Sequence, residues 1–391
     1  MTSHRIRRPL ACLELAALLT ITACSGGNPG SRDAGQTDAT PTEAAPVNVL
    51  SLLEPIRATY DLPALGGMVI SSSEVIALGV TGVRKRGDTT LATVDDQWHL
   101  GSDTKAMTAT IVARLAERNV VSFDDPLSKL FPNEVATMDP AYAAVPLRWL
   151  LSHRSGMGDV TDYPDVVAAL ATSTDPVDIV RAAWTHAVLA LPPLYPPDTA
   201  FLYSNSGYIV AGAALERATG KTWETLIADE VFGPLDMASC GFGAPGNANA
   251  VPVDDPWGHS GTTPVAPGPD ADNPPAMGPA GTVHCSLRDW SKFIVIFLGA
   301  KPEYLSAASR ATLTTPAAGA DYALGWDTAV RPWAGGVALN HAGSNNLWFA
   351  DLWVAPVRDR AFVTVTNRGD YDVAFPASDA AVGALIGAYL P

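Results

Sequence analysis

From residue 49 onward the chain alternates stretches of helical apolar spacing with short apolar runs bounded by turn residues. Leu50, Leu53, Ile56 and Tyr60 recur at helical spacing and predict a first helix. Residues 64–70 and 75–83 read as two strands, with Ser71-Ser72-Ser73 as the turn between them. Residues 104–118 read as a strong amphipathic helix, and Asp124-Asp125-Pro126 and Phe131-Pro132-Asn133 mark loops. Helix is expected over most of 166–189 and 208–231. The Gly-, Pro-, Asn- and Asp-rich stretch 241–279 predicts a long loop region. Residues 286–298 read as a helix, 347–354 and 361–366 as strands, and 377–390 as a closing helix. Strands thus lie at both ends of the folded part and helices fill the middle, so the ends must meet in one sheet. No internal repeat and no second linker interrupts residues 48–391, which predicts one folded unit there.

The first residues have a different pattern. Arg5, Arg7 and Arg8 precede an apolar run over 10–23 that ends Ile21-Thr22-Ala23-Cys24. This is the pattern of a secretory signal, and the run is too short to span a membrane as a helix. The small residue before Cys24 resembles the lipobox of bacterial lipoproteins, in which the new N-terminal cysteine carries lipid. The expectation is a signal peptide over 1–23, lipidation at Cys24, and a flexible linker over 24–47 holding the folded unit off a bacterial envelope membrane, in the periplasm or on the outer surface. A plain secretory signal cut near Ala23 is the alternative.

Composition narrows the function classes. Hydrophobic residues make up 47% and charged residues 17%, a globular balance. A formal net charge of −15 with only 25 Lys and Arg repels phosphates and argues against nucleic-acid binding. No H-E-x-x-H and no paired C-x-x-C occurs, so no metal site is expected. Cys240 and Cys285 would reach an oxidising compartment, where they either pair or stay as two separate buried thiols.

Three short motifs carry candidate chemistry. Ser102 has Lys105 three residues on, a spacing that shares one helix face. A serine hydroxyl needs a base to become a nucleophile, and partial burial at a positive helix end lowers a lysine toward that duty. Taken alone, this spacing also fits a helix-capping serine and a surface lysine. Tyr203-Ser204-Asn205 places a phenol and an amide two residues apart; on an extended loop both face the same way, as proton carrier and hydrogen-bond anchor. His341-Ala342-Gly343-Ser344 follows on an expected strand.

In this order the motifs resemble the S-x-x-K, Y-x-N and K/H-x-G triple of the class C β-lactamase-like serine hydrolases. That penicillin-recognising family includes β-lactamases, D-Ala-D-Ala carboxypeptidases, D-amino-acid peptidases and carboxylesterases. Flanking stretches are similar too: residues 147–157 (LRWLLSHRSGM) to the family's L-L-x-H-x-S-G segment, and 197–208 to its P-G-x-x-x-x-Y-S-N-x-G-Y run, with Asp198 where Gly is usual. The resemblance runs from Val49 almost to the end. It implies an α+β fold of the β-lactamase/transpeptidase type: a mostly antiparallel sheet flanked by helices, with an all-helical lobe inserted between its early and late strands. It implies acyl transfer through Ser102, assisted by Lys105 and Tyr203, with the backbone N–H groups of Ser102 and Ser344 holding the oxyanion. Tyr203 is the expected base for the water that releases the acyl group. Which of Lys105 and Tyr203 takes the first proton stays open. Asn205, His341, Gly343 and Ser344 would line the substrate site. No cofactor is implied. The expected partner is a small-molecule or peptidoglycan-type substrate, with membrane contact through the lipid anchor only and the oligomeric state undetermined.

His341 shapes the substrate expectation. The family's β-lactamases and carboxypeptidases usually begin the third motif with Lys, whose fixed charge suits a substrate carboxylate. A histidine of ordinary pKa, about 6.5, is mostly neutral at pH 7. Arg331, Arg358 or Arg368 would have to supply the charge instead. An esterase or D-amino-acid amidase is therefore expected ahead of an efficient β-lactamase or carboxypeptidase. A non-catalytic cell-wall-binding lipoprotein and an assembly protein are the readings from other classes. His259-Ser260-Gly261 repeats H-x-G inside the long loop and is set aside as third motif, though it is left as a possible lining of the cleft. His153, His186 and His284 are assigned no chemistry.

Overall fold

The first apolar runs become helix α1 (Leu50–Thr59) and strands β1 (Ala64–Ile70) and β2 (Val75–Gly82). The computed structural model describes residues 45–170 and 173–390. The expected signal segment, Cys24 and the linker up to residue 44 lie outside the described residues. Val47 already bridges to Ala77, so pairing begins just ahead of α1. After β3 (Gln97–His99) comes α2 (Thr104–Glu117). The helical lobe follows: α3 (Leu127–Leu130), α4 (Leu147–Leu151), α5 (Pro164–Leu170), α6 (Val177–Leu189), α7 (Asn205–Thr219) and α8 (Trp223–Ile227). The Gly- and Pro-rich stretch holds only two-residue strands, β4 (Gly241–Phe242), β5 (His259–Ser260) and β6 (Thr263–Pro264). Then come α9 (Gly278–Gly281), β7 (Val283–Ser286), α10 (Leu287–Ile294) and α11 (Ala307–Thr314). The chain closes with β8 (Asp327–Arg331), β9 (Gly336–Ser344), β10 (Phe349–Ala355), β11 (Arg360–Thr366) and α12 (Tyr371–Tyr389).

The two ends do meet. The main sheet has six strands in the order β2-β1-β11-β10-β9-β8, with every neighbouring pair antiparallel. Strand periodicity splits β1 between two layers: Leu65 and Val69 pack with α1 and α12, while Ala64, Met68 and Ile70 face the large core shared with the helical lobe. Both faces of β1 are buried, which is why it reads as a continuous apolar run rather than an alternation. This is the α+β architecture expected from the motifs. A smaller sheet, β3-β7-β4, lies beside it, and the Cys240–Cys285 disulfide links the chain just before β4 to β7.

Several expectations change. Helix α2 is not amphipathic: Thr104 to Ala113 and Leu115 are all buried, so it runs through the middle of the core. The expected helix 166–189 is two helices, with Pro176 at the N-cap of the second, and 208–231 divides after Thr219. Helix α12 starts at Tyr371, ahead of the expected start, and absorbs Pro376; burial of Ala374, Ala377, Ala381 and Leu385 outweighs the lost N–H. β8 was not expected at all. It is a mostly polar edge strand recognisable only by its partner β9. No helix of the described residues is long and apolar enough to cross a membrane.

Candidate active site

Ser102 sits in a single turn, Gly101–Asp103, between β3 and α2. Two bare backbones hold that turn. Gly101 adopts φ +52°, and a Cβ added there would lie 2.3 Å from Ser344 N. A Cβ on Gly343 would lie 1.9 Å from Leu100 O and 2.7 Å from Ser102 N. Only glycine permits either approach, and together they bring the Ser102 and Ser344 N–H groups to one edge of the cleft. From behind, the Gly101 N–H donates to His99 Nδ1 at 3.1 Å. His99 Nε2 therefore carries the proton and donates to Asp272 at 2.6 Å.

Lys105 is completely buried one turn further on. Its Nζ lies 2.9 Å from Ser102 Oγ, 2.7 Å from Asn205 Oδ1 and 2.7 Å from Ala280 O. Burial pushes the amine down to about 7, against smaller opposing effects of Asp159 and Asp103. The partner chemistry then fixes its orientation. Both carbonyl oxygens only accept, so they take the two hydrogens of a neutral amine, and the lone pair is left facing the serine hydroxyl. That is the arrangement of a general base on its nucleophile.

Asn205 is the first residue of α7 rather than part of an extended loop. Ser204 caps the helix, accepting from Gly207 N and donating to Gly158 O. Asp159 holds Asn205 from the far side: Oδ1 accepts the Asn205 N–H at 2.8 Å and Oδ2 lies 3.4 Å from Asn205 Nδ2. This orients the amide with its oxygen toward Lys105. The Tyr203 ring lies 4.8 Å from Lys105 Nζ, and its hydroxyl contacts the Ser102 side chain. Burial raises the phenol above its ordinary pKa, so Tyr203 stays protonated. The expectation that Tyr203 takes a proton from water then requires Lys105 to take the phenolic proton in the same step.

His341 is buried and lies behind this group. Its Nδ1 donates to Ala342 O and its Nε2 accepts from Tyr322 OH, each at 3.0 Å. Burial, with Lys105 nearby, lowers it to about 3, so the third motif contributes no cation. Both ring nitrogens are engaged within the protein, so His341 braces the cleft through Tyr322. His153 has a similar role: its Nδ1 accepts the Ser204 N–H at 3.0 Å and its ring packs against Tyr203 at 4.3 Å.

None of the three candidate arginines replaces the missing charge. Arg331 stacks on Trp353, at the end of β8 remote from the partner of Asn340. Arg358 lies against Gly335 and Arg368 pairs with Asp370 at 2.7 Å. The groups nearer the catalytic cluster are acids. Asp327, pushed up to about 6 by burial, influences Tyr203 and Tyr322. Asp103 is buried, with no hydrogen-bond partner for either oxygen among the described residues, and burial raises it well above the carboxylate range. Both ring nitrogens of His259 are engaged within the protein: Nε2 accepts from Arg86 N and Nδ1 donates to Asn367 O. His284 contacts Gly243 O as a structural residue. Among the described residues no cluster of His, Cys, Asp or Glu suits a metal ion.

Of the residues singled out in the sequence, the fold brings Ser102, Lys105, Tyr203, Asn205, Gly343 and Ser344 together and sets His341 just behind them. Sequence reading missed Asp159, Ala280, Tyr322 and the bracing role of His153. Asp159 lies two residues beyond the recognised 147–157 segment, and only the tertiary fold shows what it touches.

A family model described as Beta-lactamase matches residues 49–385. The chain is 28% identical over 329 residues to penicillin-binding protein 4 of Amycolatopsis lactamdurans, covering 80% of this chain and 83% of that protein. It is 26% identical over 344 residues to an unguisins hydrolase of Aspergillus campestris, covering 80% of this chain and 60% of that protein. A solved D-stereospecific amidohydrolase from Streptomyces sp. superposes with a TM-score of 0.64 at 21% identity, covering 84% of this chain and 96% of the other, and so shares the fold.

Two outcomes follow from the geometry. Lys105 accepts a proton only when neutral, so kcat/KM should fall about tenfold per pH unit below an acid limb centred near 7. A pH–rate profile with a limb near 4 would remove Lys105 from the role of base. Gly343→Ala should drive β9 away from Ser102 N and lower kcat by about 10²–10³, the usual loss on removing an oxyanion donor. Steady-state kinetics on the folded variant, checked by circular dichroism, measures it.

Proposed function

The chain belongs to the beta-lactamase family and is a serine hydrolase, and on that footing we propose that Ser102 forms an acyl-enzyme with ester and D-aminoacyl amide or peptide substrates. The observation that carries this reading is the placement of Lys105 Nζ, with two obligate acceptors and the Ser102 hydroxyl as its hydrogen-bond partners among the described residues. Lys105 takes the hydroxyl proton as Ser102 Oγ attacks the carbonyl. The Ser102 and Ser344 N–H groups stabilise the oxyanion. Tyr203 passes its proton to the leaving group and is reprotonated from Lys105. Water then attacks the acyl-enzyme, with the Tyr203–Lys105 pair taking its proton, and the same proton passes to Ser102 Oγ as the acyl–oxygen bond breaks, which restores the resting state.

Substrate preference rests on charge. Among the described residues the third motif supplies a neutral histidine rather than a cation, and Lys105 is near its midpoint at neutral pH. Substrates whose binding depends on a carboxylate, such as β-lactams and D-alanyl-D-alanine peptides, are disfavoured. The likeness to a D-stereospecific amidohydrolase fold and to an unguisins hydrolase supports the same direction. The enzyme works at the cell envelope: residues 1–23 are the export signal, Cys24 carries lipid, the tether runs on from there and ends ahead of Val47, which is already paired to β2, and the rest forms the hydrolase domain.

A panel of short-chain esters, D-aminoacyl p-nitroanilides and a chromogenic cephalosporin tests the chemistry. Turnover of esters and D-aminoacyl amides should exceed that of the cephalosporin, and Ser102→Ala should abolish both turnover and fluorophosphonate labelling. Fast cephalosporin hydrolysis with negligible ester turnover refutes the substrate preference; labelling that persists in Ser102→Ala refutes the nucleophile. Mass spectrometry of the mature N-terminus tests location. Diacylglyceryl-Cys24 is expected, and an unlipidated terminus overturns the anchor.

A further inference from the structure

Residues 271–273 of the Gly- and Pro-rich stretch lie against the catalytic cluster, and each ties to a different wall of it. Ala271 is buried, and its carbonyl accepts from Asn345 Nδ2 at 3.0 Å; Asn345 directly follows Ser344 at the end of β9. Asp272 accepts from His99 Nε2 at 2.6 Å, and His99 Nδ1 holds the Gly101 N–H at 3.1 Å. Asn273 Nδ2 donates to Gly281 O at 2.7 Å; Gly281 directly follows Ala280, whose carbonyl takes Lys105 Nζ. Pro269, Pro274 and Pro275 flank the three residues and narrow the backbone freedom of the loop there.

The middle tie differs in kind from the outer two, which are single bonds between an amide and a carbonyl. It runs from a carboxylate through an imidazole to a backbone N–H, and it depends on which ring nitrogen carries the hydrogen. With the hydrogen on Nε2, Nδ1 accepts from Gly101. With the hydrogen on Nδ1, two N–H groups face each other and the turn loses its hold. The His99 ring is fully buried and stacks on Trp348 at 5.8 Å, so rotation out to water is blocked. A carboxylate only accepts, and it binds an N–H more strongly than a neutral acceptor does. Asp272 therefore selects the Nε2–H form, and that form holds the residue just before the nucleophile. We infer that Asp272 is a positioning residue for acyl transfer: through His99 it fixes the Gly101–Ser102 backbone, and with Ala271 and Asn273 it locks the long loop to the three walls of the site. It touches no reacting atom. The inference rests on the acyl-enzyme reading and adds to it a residue distant in the chain.

Two variants and one spectroscopic signature test it, with p-nitrophenyl butyrate as substrate. Asp272→Ala should lower kcat by about tenfold to a hundredfold with KM within about twofold, the pattern of a misplaced nucleophile rather than of lost binding. Asp272→Asn keeps an oxygen that accepts the Nε2 hydrogen and should hold kcat within about threefold of the full chain. Long-range 1H–15N NMR of the His99 ring should show the Nε2–H tautomer in the full chain and in Asp272→Asn, and its loss in Asp272→Ala. Unchanged kcat in a folded Asp272→Ala, a loss that Asn does not rescue, or an Nδ1–H tautomer in the full chain overturns the inference. The tautomer and the Asn variant decide the matter even where the Ala variant fails to fold. If the full chain neither cleaves the ester nor is labelled at Ser102 by fluorophosphonate, the acyl-enzyme reading fails, whereas the His99 tautomer still reports separately on the Asp272 tie.

Discussion

A lysine amine withdrawn from water is the constraint on which the rest of this site depends. Lys105 is fully buried in a helix that is itself buried on nearly every side. Removal from water in that setting disfavours the ammonium form and lowers the amine's pKa. The fold supplies two carbonyl oxygens and one hydroxyl. The carbonyls come from opposite directions: Asn205 from the helical lobe and Ala280 from α9 just ahead of β7. The environment of Lys105 is therefore assembled where the lobe, the central helix and the late chain meet, and it exists only when all three are folded.

The serine is positioned by a different constraint, steric rather than electrostatic. Gly101 and Gly343 let the turn before α2 press directly on β9, backbone against backbone. β9 is bound into the main sheet between β8 and β10, so the sheet sets where Ser344 N stands relative to Ser102 N. Asp159 and His153 fix the other wall by capturing the backbone N–H groups of Asn205 and Ser204. Ser102, Lys105 and the Ser344 N–H, which we propose as nucleophile, base and oxyanion donor, thus rest on the start of α2 and on β9, as preorganised catalysis requires.

Much of this was legible in the sequence where chemistry is local. Ser102 and Lys105 are one turn apart, and the helical spacing that joins them is written in adjacent residues. The two-ended sheet followed from strands at both termini and helices between. What stayed hidden depends on partners distant in the chain. Asp159 looks like any loop aspartate until α7 is docked against it. β8, from Asp327 to Arg331, has too little apolar pattern to be seen without β9. Pro376 concealed the start of α12 because its local cost was legible and the burial that outweighs it was not. The choice between pairing and separate thiols for Cys240 and Cys285 turned on a Cα separation of 4.2 Å that no spacing rule supplies.

Charge links the mechanism to the substrate. Among the described residues His341 is neutral, the candidate arginines are engaged elsewhere and Lys105 is near its midpoint at neutral pH, and the proposed preference for substrates without a carboxylate rests on these three facts. All of this depends on Lys105 being neutral near physiological pH. Heteronuclear NMR titration of the Lys105 side chain, assigned by comparison with Lys105→Arg, measures that state directly. A midpoint near 7 is the predicted result. A side chain that stays protonated up to pH about 10, the ordinary value for lysine, would contradict the account.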